Sequence, residues 1–216
     1  EMCIRDSSST GDNVTEFGCT LDEQQQQGYI YLDSNGITVK ANPWAVTGKV
    51  YSLNGVEYSI VDNNNFNWWG NFNVCTTRIT NMSNLFNINY LNGKEIYEGI
   101  DINSWDTSNV RNMARMFYSN DQFNYDISAW DTSSVENMSY MFFNNSAFNQ
   151  DISAWNTSSV ENMASMFQSN TAFNNCLANW IIASNATNMF SGSLFNHPSA
   201  STFDTCLLYT SPSPRD

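Results

Sequence analysis

Apolar residues return along this chain with a period of 25. Trp105, Trp130, Trp155 and Trp180 each lie 25 residues after the last. Asp101-Ile102, Asp126-Ile127 and Asp151-Ile152 precede the tryptophans, and Thr107, Thr132 and Thr157 follow them. Val110, Val135 and Val160 come next, then Asn112-Met113, Asn137-Met138 and Asn162-Met163, then Met116-Phe117, Met141-Phe142 and Met166-Phe167. Phe123-Asn124, Phe148-Asn149 and Phe173-Asn174 close each cycle. Self-similarity at a fixed period marks a repeat architecture, in which one unit buries its apolar face only against the next.

Within a unit the pattern predicts two elements. Val135, Met138, Met141 and Phe142 fall at helical spacing, and Ser133 with Glu136 has the S-x-x-E form of a capping box, repeated at Ser158 and Glu161. Phe148 to Trp155 reads as a short strand, although Ile152 and Trp155 are three apart and the inward-facing residue stays open. The expected fold is an α/β solenoid of strand-plus-short-helix units, with parallel strands about 4.8 Å apart along one side. Upstream, Ile79, Asn81-Met82 and Leu85-Phe86 fit the unit at a spacing of 31, which places a six-residue insertion in 87–99. Downstream, Asn188-Met189-Phe190 is a unit shortened by two residues.

Ahead of the repeats the alternation is that of strands. Lys49–Leu53 and Val56–Val61 flank Asn54-Gly55, a strong signal for a two-residue hairpin that pairs Leu53 with Val56 and Tyr51 with Tyr58. Tyr29–Leu32 and Ile37–Val39 flank a second turn at 33–36. The chain thus divides into residues 1–7, a linker at 8–28, an N-terminal β-hairpin cap region at 29–73, the repeats at 74–196, a tail at 197–205 and a terminal segment at 206–216. The segments Met2–Ser7 and Cys206–Asp216 resemble a translated sequencing adapter found at the ends of metagenomic reading frames, and they carry no weight in the fold reading.

Composition narrows the function. The 216 residues carry 21 acids and 8 bases, a formal charge of −13, which disfavours nucleic acid and anionic membrane as partners. Outside the adapter-like ends, Cys19, Cys75 and Cys176 have no metal-ligand spacing, and His197 is the one histidine. A Cys19–Cys75 disulfide and three thiols both fit. A nucleophilic triad lacks its base, no glycine loop cradles phosphate, and a ladder of equivalent carboxylates lacks the two distinct environments of a glycosidase. The expectation is a protein that is not an enzyme and has no cofactor.

The units FNYDISAWDTSSVENMSYMF and FNQDISAWNTSSVENMASMF resemble the repeat of BspA-type leucine-rich-repeat surface proteins. The resemblance spans about Ile79 to Phe190, and more loosely the segments DSNGITVKA and NGVEYSIVD. It implies a leucine-rich-repeat-like stack in a secreted or cell-surface bacterial protein, with adhesion among the roles. The chain departs from the pattern in the Asn-rich stretch 63–73, which holds Trp68 and Trp69, and in 87–99.

Two functions follow as expectations: an interaction or adhesion surface for a protein partner, or a glycan-binding surface built on exposed aromatics such as Trp68 and Trp69. The candidate surface also includes the column Asp101, Asp126 and Asp151. At about 5 Å spacing such charges repel by about 0.8 kcal/mol in water. Either each aspartate caps its own turn, or the row attracts calcium, which takes about six to eight oxygen ligands. The Asn columns read as a turn-lining amide ladder or as a hydrogen-bonding surface. No apolar run is long enough to span a bilayer. A chain trimmed to residues 8–205 is expected to melt with the whole chain, and a loss above about 1 kcal/mol would show that the ends hold structure.

Overall fold

The first elements are two antiparallel pairs. Strand β1 (Ile30–Leu32) pairs with β2 (Val39–Ala41), and β3 (Val50–Leu53) pairs with β4 (Val56–Asp62). This computed structural model describes residues 28–66, 73–87, 89 and 101–193. The β3–β4 turn has φ of 53° at Asn54 and 79° at Gly55, the two positive values that a type I′ hairpin needs. Leu53 pairs with Val56 and Tyr51 with Tyr58, the register that the alternation predicts. In the first hairpin β2 begins two residues later than the pattern suggests. Asn35 Oδ1 accepts the N–H groups of Ile37 and Thr38, both at 2.9 Å, and this holds Ile37 in the loop.

Strand β5 (Asn73–Arg78) lies parallel to β4 and completes a sheet of order β3-β4-β5. Ile30, Val39, Ala41, Ala45, Tyr51, Ile60 and Cys75 form the core between the two small sheets. The Cys75 thiol donates to the Val39 carbonyl at 3.4 Å, and Ala41 N–H donates to Thr77 Oγ1 at 2.9 Å. The Arg78 guanidinium gathers the 43–47 loop through Thr47 Oγ1 and the Pro43 and Ala45 carbonyls. Val61 and Val74 turn the other way and join the core of the repeats.

The repeats are built from turns, and their backbone donors divide into two alternating sets. In one coil the N–H groups of Met113, Arg115, Phe117 and Ser119 donate to the carbonyls of Asn137, Ser139, Met141 and Phe143 in the next coil, at 2.8 to 3.0 Å. The intervening N–H groups of Met116, Tyr118 and Asn120 close turns onto Met113, Arg115 and Phe117. Ala114 N–H goes to Asn112 Oδ1 at 3.0 Å. Every donor from 113 to 120 is thereby satisfied, as buried backbone requires. The next coil repeats the arrangement, with Met138, Tyr140, Phe142 and Asn144 donating to Asn162, Ala164, Met166 and Gln168.

This pattern corrects the expected fold class. No α-helix forms in the described residues 101–193, and Ile102, Ile127 and Ile152 do not lie in parallel strands. Positive φ at Arg115 and Ser119, at Tyr140 and Asn144, and at Ser165 and Ser169 interrupts the helical path every four residues. The expected capping box is absent too: Ser133 Oγ bonds Asp131 Oδ1 at 2.6 Å, and Glu136 reaches Arg111. In place of the strand, Trp155 N–H closes a turn on the Ile152 carbonyl, which buries both side chains. The α/β, leucine-rich-repeat-like solenoid of strand-plus-helix units is therefore not the architecture. The regular sheets are the two small ones at the N-terminus, and the repeat coils meet through single parallel bridges from Asn81 to Asn112, Asn137, Asn162 and Asn185.

Side chains stack in columns inside the coils. Phe86, Phe117, Phe142, Phe167 and Phe190 follow one another at 5.4 to 5.5 Å between ring centroids. Trp130, Trp155 and Trp180 stack at 6.2 Å. Each of these three indoles donates to the Ile carbonyl of the preceding coil, Ile102, Ile127 or Ile152, so its buried N–H is paired. Buried Thr107, Thr132 and Thr157 donate forward to the carbonyls of Asp131, Asn156 and Ile181. The bridge from Asn162 to Asn185 spans 23 residues, so the last coil absorbs its two-residue deletion without losing register. Cys75 is a free, buried thiol and Cys176 is disulfide-bonded, so the Cys19–Cys75 pairing does not form.

Val135 is completely buried among these columns. Val135→Asp is expected to cost about 3 to 5 kcal/mol and to unfold neighbouring coils with its own, which chemical denaturation followed by tryptophan fluorescence would measure.

Candidate interaction surface

The period of 25 and the in-register bridges bring Asp101, Asp126 and Asp151 to equivalent exposed places on successive coils. Each caps its own turn. Asp101 Oδ1 accepts Asn103 N–H at 3.1 Å, Asp126 Oδ1 accepts Ser128 N–H at 2.9 Å, and Asp151 Oδ1 accepts Ser153 N–H at 2.9 Å. The N–H and hydroxyl of Ser153 hold the Asp151 carboxyl below its usual range. A depressed carboxyl stabilises the fold above its unfolded pKa, and this contribution fades as pH falls through the folded value. Asn103 joins the first two carboxylates: its Nδ2 reaches Asp126 Oδ2 at 3.2 Å while its Oδ1 accepts Ala129 N–H. Among the described residues no three His, Cys, Asp or Glu side chains gather in a way that would hold a metal ion.

The asparagine columns are also occupied by the fold. Asn81, Asn112, Asn137 and Asn162 each accept the N–H two residues on. Asn149 N–H donates to Asn124 Oδ1, and Asn174 N–H to Asn149 Oδ1, both at 2.9 Å. Gln150 and Asn175 extend this ladder with their own amides. The amide-rich composition is thus largely a means of satisfying turns.

A different set of side chains is left at the surface over the turns. Tyr118 and Phe143 stack face to face across two coils, with centroids 4.8 Å apart and planes 5° apart. Tyr140 tilts against both, and Arg115 Cζ lies 5.1 Å from the Tyr140 centroid. All three rings are half-buried. The third full coil replaces this cluster with Ser165 and Gln168. Around it the field is acidic. Residues 101–193 carry eight acids and two bases, and both bases are engaged, Arg111 with Glu136 at 2.7 Å and Arg115 with Tyr140.

Arg115, Tyr118, Tyr140 and Phe143 were not singled out by sequence reasoning, which followed the repeated positions. The signal lay in the columns that fail to repeat, Arg-Tyr-Ser at 115, 140 and 165 and Tyr-Phe-Gln at 118, 143 and 168. Trp68 and Trp69 lie outside the described residues.

Residues 80–203 match the model of a family described as "Mycoplasma protein of unknown function, DUF285". The match covers more than half of the chain. The chain belongs to the DUF285 family. No curated protein and no solved structure matches this DUF285 chain. No helix among its described residues is long and apolar enough to cross a membrane.

The turn-capping role of the aspartates predicts that Asp126→Asn changes stability by less than about 0.5 kcal/mol, since an amide oxygen caps the same turn. EDTA and added calcium are expected to leave the melting temperature of the parent unchanged. A calcium-dependent rise in the parent that Asp126→Asn abolishes would restore the metal reading.

Proposed function

We propose that this DUF285 chain is an extracellular or cell-surface repeat protein of the BspA-like kind, which presents a protein-interaction or adhesion surface on the outside of its coils. The observation that carries the reading is the divergence at the outward turn positions. The interior columns keep the same residue coil after coil, whereas Arg115, Tyr118, Tyr140 and Phe143 differ from Ser165 and Gln168. Half-buried tyrosines, a phenylalanine and an arginine are residue types enriched at protein interfaces. A role without catalysis fits the same view, because the Asp101, Asp126 and Asp151 carboxylates and the Asn112, Asn137 and Asn162 amides are committed to turns.

Glycan binding is the alternative, through Trp68 and Trp69. The outer rings of the coils favour the protein partner. Tyr118 and Phe143 stack on each other, so one face of each ring is already taken by its neighbour in place of a sugar.

The test copies the third coil into the second. Tyr140→Ser with Phe143→Gln installs the residues at 165 and 168, which the turns already accommodate. Binding to cells or to a panel of immobilised extracellular proteins is expected to weaken at least tenfold, about 1.4 kcal/mol, while the melting temperature stays within a few degrees. Binding on a glycan array that survives this double variant and is lost on Trp68→Ala with Trp69→Ala would favour the alternative.

A further inference from the structure

Each coil turns three consecutive residues outward between two buried ones. Asn124-Tyr125-Asp126 lies between Phe123 and Ile127, and Asn149-Gln150-Asp151 between Phe148 and Ile152. In the first column only one end of each amide serves the fold. Asn124 Oδ1 accepts Asn149 N–H and Gln150 Nε2, at 2.9 and 3.0 Å. Asn149 Oδ1 accepts Asn174 N–H and Asn175 Nδ2, at 2.9 and 3.1 Å. Two bonds to one oxygen clamp each amide in place. The Nδ2 groups of Asn124 and Asn149 meet no acceptor among the described residues, and both residues are exposed. Gln150 and Asn175 also donate to the Asn124 and Asn149 carbonyls, at 2.8 and 2.9 Å, which fixes their own amides.

The second observation is a ring at the upstream end of this face. Tyr125 holds the place of Gln150 and Asn175, is 43 % exposed, and is backed by buried Phe123 with centroids 6.0 Å apart. The exposed carboxylates of Asp126 and Asp151 run beside it. From coil to coil the phenylalanine columns advance by 5.4 to 6.0 Å. A pyranose residue in an extended β-linked chain has much the same length.

We propose that this face binds a neutral, extended β-linked glycan lying along the stack, with one sugar ring on Tyr125 and hydroxyls on the Asn124 and Asn149 amides and the Asp126 and Asp151 carboxylates. Sugar hydroxyls both donate and accept, and the face offers clamped donors beside acceptors. The ring of Tyr125 takes the apolar side of a pyranose. The two carboxylates repel acidic glycans, which restricts the ligand to neutral ones. The positions are separate from the Tyr118, Tyr140 and Phe143 cluster and from Trp68 and Trp69, so the site does not rest on the protein-binding role.

Calorimetric titration of the full chain with cellohexaose and with chitohexaose tests this. At least one is expected to bind, and its disaccharide about tenfold more weakly, because it spans fewer coils. A galacturonate hexamer is expected not to bind. Asn149→Asp keeps an oxygen for Asn174 N–H and Asn175 Nδ2 and removes only the outward donor, and a neutral glycan is not repelled by the added charge. Tyr125→Gln installs the residue of the next coil. Each variant is expected to melt like the parent and to bind the hexasaccharide about tenfold more weakly. Tyr140→Ser with Phe143→Gln is expected to bind it as the parent does. A parent that binds neither hexasaccharide, or binds the disaccharide as tightly, would overturn the proposal. So would parent-like binding by folded Asn149→Asp or Tyr125→Gln, binding of the galacturonate hexamer, or loss of sugar binding in the Tyr140→Ser, Phe143→Gln variant.

Discussion

The repeat half of this structure depends on the alternation of its backbone donors. One N–H closes a local turn and the next crosses to the neighbouring coil. A helix spends all its N–H groups within itself, and a strand spends them on its neighbours. This backbone does both, in alternation, with a left-handed residue every four positions to reset the direction. A coil cut off from its successor would leave four donors bare in 113–119 and lose the faces of its aromatic columns. Cooperation between coils is therefore imposed by hydrogen bonding as well as by burial.

That constraint explains the composition. Positive φ is costly for most side chains, and Asn, Ser and Gly fill many of these places, as at Asn84, Ser119, Asn144, Ser165, Ser169, Asn188 and Gly192. Asn at 112, 137 and 162 supplies the one acceptor that the turn backbone lacks. Thr107, Thr132 and Thr157 and the indoles of Trp130, Trp155 and Trp180 carry hydrogen bonds from coil to coil within the buried zone. The polar columns are structural, and the irregular aromatic cluster at Tyr118, Tyr140 and Phe143 lies outside them at the surface.

The repeat, its register and the deletion in its last unit were legible because a period needs no assumption about backbone form. The hairpin at Asn54-Gly55 was legible because its turn chemistry admits few alternatives. The helix was misread for a physical reason. Val135, Met138, Met141 and Phe142 are all buried, as a helix face would be, but successive turns place side chains inward at the same intervals. Hydrophobic spacing reports which residues face the core, and two backbones can share it. The clue against a helix was chemical: Asn at 112, 137 and 162 and Ser at 119 and 169 favour turns over helix interiors. The strand at Phe148–Trp155 failed similarly, since a turn from Ile152 to Trp155 buries both residues where alternation would bury one. In the candidate surface, the aspartates cap their turns, one of the two arrangements that their column allows, whereas the aromatic cluster was hidden because it lies at the positions that break the repeat.

The central claim is that the Val135–Phe142 segment and its equivalents bond to the next coil instead of along a helix. Scalar couplings across hydrogen bonds, measured by NMR on isotopically labelled chain, test this atom by atom. Couplings are predicted from the Phe117 amide to the Met141 carbonyl and from the Phe142 amide to the Met166 carbonyl. Couplings from Phe117 to Met113 and from Phe142 to Met138, four residues back in the same coil, would mark an α-helix and contradict the account.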